Sequence, residues 1–217
     1  DEYLDVFPPD PLRYYLAANA PENKDADFAW KDFQQRNNSE LADVLGNLVN
    51  RSLSFVENQF EAKVPEAREP SAADRALLAE IGTAAEKIGR SLDEFQMRRG
   101  IGELMDLART GNRYFNDTAP WSTIKTDRAR CASTLNTTLQ LELALAVLME
   151  PFLPFSAEKL WNMLNGPASH RDQRWSDLPR LRLPDHHPLG RREILFHKID
   201  NGIIEEQVSK LHSANRS

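Results

Sequence analysis

The sequence predicts an all-α fold, and three observations carry that reading. Apolar residues recur at helical spacing over long windows, cap and turn residues stand where helix ends need them, and no alternating strand pattern or repeat period appears. Asp10-Pro11-Leu12-Arg13 opens the first helix, with Asp10 as cap and Pro11 pre-set for the first turn, and Pro21 closes it. Residues 22–27 read as an acidic linker. Over residues 28–60 the only breaker is Gly46, which predicts one long helix. Its apolar stripe is Leu41, Val44, Leu45, Leu48, Phe55 and Val56, with Ser52 in a closely packed spot and Asp43, Asn47 and Arg51 on the polar flanks. Residues 63–70 connect to a second amphipathic helix that Ser71 and Asp74 cap; it carries Leu77, Ile81 and Ile88 and stops near Arg90 or Ser91. A third runs from about Asp93 through Phe95, Ile101 and Leu104 to Tyr114 and Phe115, ending before Pro120. Residues 126–148 form a fourth, apolar along Leu135, Leu139, Leu143 and Val147, and this is the expected central helix. Ser156 restarts a short helix through Trp161 that Asn165-Gly166-Pro167 terminates. Residues 166–190 are loop, tacked down by Trp175 and Pro179. Residues 193–211 form the last helix, with Ile194, Ile199, Ile203, Ile204 and Val208 on its apolar face.

Composition narrows the function classes. Hydrophobic residues make up 41% and charged residues 28% of the 217, and no apolar run approaches the roughly 20 residues of a membrane span. The single cysteine, Cys131, permits no internal disulfide and no multi-cysteine metal site, so a reducing cytoplasm is the expected compartment and Cys131 a packing residue. The opening Asp1-Glu2-Tyr3 has no secretory character and reads as a piece cut from a longer protein. A net charge of −6 argues against wholesale phosphate binding, although the stretch from Arg171 to Lys198 is locally basic.

No phosphate-cradling glycine loop, nucleophile turn or Cys-x-x-Cys is present, so no catalytic residue is assigned. Asp185-His186-His187 reads as a solvated loop rather than a metal site, because neighbours on one loop seldom converge on one ion. The informative constellation is Asn47 and Arg51, stacked one turn apart on a helix face, with Trp121 directly after Ala119-Pro120. Unpaired bases are recognised by stacking on an aromatic ring and by hydrogen bonds to the Watson–Crick edge. Cytosine offers two acceptors and an amino donor there. A guanidinium serves the acceptors and a carboxamide oxygen the amino group, whereas uracil would set N–H against N–H. The plainer alternative is an indole packed in the core beside an ordinary solvated helix face.

These residues carry a resemblance over essentially the whole chain to the C-terminal region of bacterial methionyl-tRNA synthetases. Asp10-Pro11-Leu12-Arg13-Tyr14-Tyr15-Leu16 resembles the stretch after the family's second catalytic signature, and Asp25-Ala26-Asp27-Phe28 with Trp30-Lys31-Asp32-Phe33 the entry to its anticodon domain. Leu41-Ala42-Asp43-Val44-Leu45-Gly46-Asn47-Leu48-Val49-Asn50-Arg51 resembles that domain's first long helix, and Asn112-Arg113-Tyr114-Phe115 with Ala119-Pro120-Trp121 the turn that meets the anticodon. The resemblance implies an anticodon-binding helical bundle of about five main helices of the class I synthetase type. Residues 1–27 would be a stem-contact segment and linker, 28–165 the bundle, and 166–217 a loop and C-terminal helix packing on it. Asn47 and Arg51 would contact the first anticodon base, a cytosine, Trp121 would stack on it and Pro120 would fix the turn; Asp43, Asn116 and Arg13 are secondary candidates for RNA contact. The implied partners are the tRNA(Met) anticodon stem-loop and a catalytic domain of the same chain. ATP and Mg²⁺ would belong to that missing domain, leaving this piece without cofactor or metal and inactive alone. Anticodon domains of the leucine, isoleucine, valine or cysteine enzymes are the nearest rival reading, and a helical interaction scaffold without RNA preference is the rival from another class.

Overall fold

A computed structural model of the chain describes residues 3–21 and 27–214, apart from the side chains of Arg171 and residues 212–214. The acidic linker expected over residues 22–27 lies, except for Asp27, outside the described residues, as do Asp1, Glu2, Asp25 and Ala26. Helices account for the whole architecture: among the described residues there is no strand, only an isolated antiparallel bridge between Lys63 and Pro188. None of these helices is long and apolar enough to cross a membrane.

The first helix, α1 (Pro9–Ala18), starts two residues earlier than expected, with Pro8 at the cap position. Asp10 does not cap it. With prolines at positions 9 and 11 the first turn has few free N–H groups to satisfy, and the Asp10 carboxylate instead accepts from the Ser156 backbone N–H at 2.6 Å, capping a different helix. Arg13 on the same helix donates to the carbonyls of Phe152 (2.9 Å) and Pro151 (3.0 Å).

The predicted long helix is present and continuous, but it changes pitch. It comprises α2 (Trp30–Arg36), a π-helical stretch (Asn37–Gly46) and α3 (Asn47–Gln59). Contacts with distant residues hold the wide stretch: Asn112 donates to the Val44 carbonyl at 2.9 Å, and Asn37, its first residue, donates to His197 O at 2.9 Å. At Gly46 a Cβ would stand 3.3 Å from the Leu41 carbonyl oxygen and in ordinary contact, 3.6 Å, with the Phe196 ring.

Ser71 and Asp74 cap α4 (Ala72–Asp93) reciprocally, as their spacing predicts, and α4 runs slightly beyond its expected stop. It packs against α5 (Met97–Thr118). Phe95 falls outside α5: it sits in the α4–α5 turn with φ 58° and is 86% exposed. An unexpected short helix, α6 (Pro120–Thr126), precedes α7 (Arg128–Leu148). The central role of α7 is clear from burial, since every residue from Cys131 to Leu148 is buried. Around it lie α3, α4, α5, α6 and α8 (Pro154–Met163), which starts at Pro154 rather than Ser156.

After α8 the chain crosses the bundle as loop with two 3-10 turns. Trp175 packs against Gly89 of α4, as expected, and Gln140 of α7 both donates to Leu183 O and accepts from Leu183 N, each at 2.9 Å. The expected last helix is shorter: α9 covers only Asn201–Ala214, and residues 191–200 form an extended strap. The strap's polar backbone is satisfied across the chain, with Lys159 donating to Ile194 O and Asn38 bridging both backbone groups of Ile199. It buries Leu195 and Phe196 against the main core and Ile199 in a second cluster with Phe7, Tyr15, Phe33 and Ile204. Ile194 consequently turns out to solvent, 51% exposed.

Candidate nucleic-acid interface

Asn47 is the first residue of α3 and Arg51 lies one turn on, so both leave the same face of the helix. The carboxamide of Asn47 is exposed and has no hydrogen-bond partner among the described residues. The guanidinium of Arg51 likewise makes no hydrogen bond or ion pair among them. What it touches is aromatic. Its central carbon lies 4.9 Å from the Phe115 ring centroid and 5.4 Å from that of Trp121. The two rings are 6.1 Å apart at 51° and form a corner with the cation inside it. Phe115 is buried, whereas Trp121 is 46% exposed and keeps an open face.

Local backbone puts the indole there. Ala119 ends α5 in the left-handed region (φ 42°, ψ 63°) and caps α6 at the same time, and Pro120 is the first residue of α6. Pro120 is buried, and its carbonyl faces the Cys131 thiol at 3.5 Å. Trp121 thus projects from the start of a helix rather than from a loop.

Of the candidates named from the sequence and from its family resemblance, the structure brings Arg51 and Trp121 into contact, keeps Asn47 on the Arg51 face and places Pro120 and exposed Asn116 at the α5–α6 corner. Asp43 is ion-paired with Lys198 at 2.8 Å, tying the long helix to the strap. Arg13 is engaged at the α7–α8 corner and joins neither ring. Phe115, read from sequence only as a helix-face residue, proves to be the inner wall of the corner; its place six residues before Trp121 across Ala119-Pro120 was the available signal. Asp185, His186 and His187 diverge, toward Asn136, Glu66 and Asn165 O respectively, and no cluster of three or more metal-ligating groups occurs among the described residues.

The all-helical chain that carries this corner matches known families. Residues 64–216 fit the family described as anticodon binding domain of methionyl tRNA ligase. The chain belongs to this family of methionyl tRNA ligase anticodon-binding domains. Residues 1–53 fit a second family, described as class I tRNA synthetases (M). The candidate corner spans both matches, with Asn47 and Arg51 in the first stretch and Phe115, Pro120 and Trp121 in the second. A methionine–tRNA ligase of Bacteroides fragilis is 47% identical over 97% of this chain and 31% of its own length, and one of Parabacteroides distasonis is 48% identical over the same shares. The chain thus spans about a third of the length of these relatives. Among solved structures, the free form of Mycobacterium tuberculosis methionyl-tRNA synthetase superposes with a TM-score of 0.81 at 29% identity, covering 88% of this chain and 39% of that one. Its methionyl-adenylate complex gives 0.80 at 30% identity, over 87% and 37%.

Proposed function

We propose that this chain is the anticodon-reading part of a cytoplasmic methionine–tRNA ligase and binds the CAU anticodon of tRNA(Met). The observation that carries the reading is the Arg51 guanidinium, wedged between Phe115 and Trp121 with its N–H donors unused among the described residues, one turn from the free carboxamide of Asn47. A cytosine stacked on the open face of Trp121 presents O2 and N3 to Arg51 and its amino group to the Asn47 oxygen. Uracil in that place turns its N3–H against the guanidinium, leaving polar groups unpaired. Attachment of methionine with ATP and Mg²⁺ then belongs to a catalytic domain of the same polypeptide, and anticodon contact supplies the choice of tRNA. The family match supports a methionine rather than a leucine, isoleucine, valine or cysteine enzyme. Mobility-shift titration of this chain with stem-loops carrying CAU or GAU anticodons is the test. Tighter binding of CAU is expected; equal, weak binding of both would favour a helical scaffold with no RNA role.

A further inference from the structure

Asp74 does more than cap α4. Its side chain is 1% exposed, and four donors converge on its two oxygens. Arg130 of α7 grips it from both ends of the guanidinium, at 2.8 Å to Oδ2 and 2.6 Å to Oδ1. The Tyr114 hydroxyl of α5 donates to Oδ1 at 2.7 Å, and the Ser71 backbone N–H donates to Oδ2 at 2.9 Å. Burial works to raise the carboxyl, but these hydrogen bonds together outweigh it and hold it below the usual carboxylate range.

The two side chains gathered on this carboxylate bracket the aromatic corner. Tyr114 immediately precedes Phe115, Arg130 follows α6, and the excursion between them carries Phe115, the left-handed Ala119, Pro120 and Trp121. Both ends of that excursion are therefore pinned to one buried point on α4, with Arg130 Nη2 only 3.4 Å from the Tyr114 hydroxyl. Arg51 has no polar partner among the described residues, so the two rings alone orient its guanidinium. Whatever fixes the rings fixes the donors.

We propose that Asp74, with Tyr114 and Arg130, is a positioning clamp that holds Phe115 and Trp121, and through them the Arg51 guanidinium, in the geometry that separates cytosine from uracil. The clamp rests on the anticodon reading above. Base discrimination depends on donors placed to within a fraction of an ångström, so loosening the frame costs selectivity before it costs the fold.

The test compares Tyr114→Phe, which deletes one hydroxyl and keeps the ring, with Ser71→Ala, which weakens the start of α4 but leaves every donor on Asp74 in place. Asp74→Asn is the stronger variant. Dissociation constants for CAU and UAU stem-loops are measured with urea unfolding of each variant in parallel. Tyr114→Phe is expected to lower the CAU/UAU affinity ratio roughly two- to tenfold, the worth of one hydrogen bond, while Ser71→Ala lowers the urea midpoint and leaves the ratio alone. An unchanged ratio in folded Tyr114→Phe overturns the clamp, whether or not both affinities fall, as does a ratio that falls equally in Ser71→Ala. Should the unaltered chain show no preference for CAU, the base reading fails and the clamp with it; a preference left undiminished by Tyr114→Phe removes the clamp alone. If Asp74→Asn does not fold, Tyr114→Phe decides.

Discussion

Ser52 follows Arg51 in the chain and is wholly buried, and its hydroxyl sits 3.0 Å from the carbonyls of Leu48 and Val49 and in hydrogen-bond contact with Glu142 of α7. Glu142 is itself fully buried, and its second oxygen has no partner among the described residues. Burial pushes its carboxyl well above the usual range, with the Ser52 hydrogen bond acting weakly in the other direction. The arrangement suits a neutral acid: the Ser52 hydroxyl donates to one oxygen, and no donor among the described residues stabilises a charge on the other. Folded chain then keeps a proton that unfolded chain releases above the ordinary carboxylate pKa. Stability from this group is full at acid pH and is lost as pH rises toward the folded pKa, by up to about 1.4 kcal/mol per pH unit. Urea melts from about pH 5 to about pH 8 should show that loss in the native chain and not in Glu142→Gln, and parallel curves for the two would mean the carboxyl is ionised in the fold. At the surface the expectation is different in kind. Trp121→Ala should cost about 1–3 kcal/mol of stem-loop binding, roughly ten- to a hundredfold, by titration. Its circular dichroism should stay helical, because an indole 46% exposed contributes little to the core.

The helices differ in how much of them local chemistry decides, and two glycines of α5 show it. Gly102 is exposed with nothing within 4 Å of an added Cβ, so Gly102→Ala should stabilise the chain by up to about 1 kcal/mol through helix propensity. At Gly111 a Cβ would lie 2.9 Å from Leu48 and closer still to Leu141, both fully buried, so overpacking outweighs propensity and Gly111→Ala should lose about 1–2 kcal/mol. Thermal melts that rank these two the other way would show the α3–α5–α7 contact to be loosely packed. The same division explains what sequence made legible. The long helix, the Ser71–Asp74 cap and the buried α7 rest on periodicity and neighbouring residues, and they were readable. The π stretch and the strap were not, because their backbone partners are Asn112, Asn37, Asn38 and Lys159, distant in sequence. Ile199 and Ile203 are spaced as on a helix, but Ile194 lies off their face, and the strap's burial of Leu195 and Phe196 prevails. In the corner, the chemistry of Arg51 and Trp121 was visible in residue type. Their inner wall, Phe115, and its anchor on Asp74 depend on the crossing of α4, α5 and α7, which no local pattern states.

Across the whole molecule, the charge balance does not favour RNA phosphates. The formal net charge is −6, and many cations are spent within the fold: Arg130 on Asp74, Arg36 on Asp32 and Glu40, Arg192 on Glu57, Lys198 on Asp43, and Arg13 on two carbonyls. Arg192 and Lys198 belong to the stretch that is basic in sequence, and the structure pairs them off. Binding through the Arg51–Trp121 corner therefore draws on stacking and base-edge hydrogen bonds, neither of which releases counterions in proportion to phosphates neutralised. Stem-loop affinity measured over a KCl series should then fall gently, with a log–log slope of about −1 to −2, corresponding to about one to three neutralised phosphates. A slope of about −5 or steeper would mean that phosphate contacts supply the affinity. In that event CAU preference would have to arise from the shape of the loop rather than from the corner, because a backbone-driven interface carries no information about which base lies against Trp121.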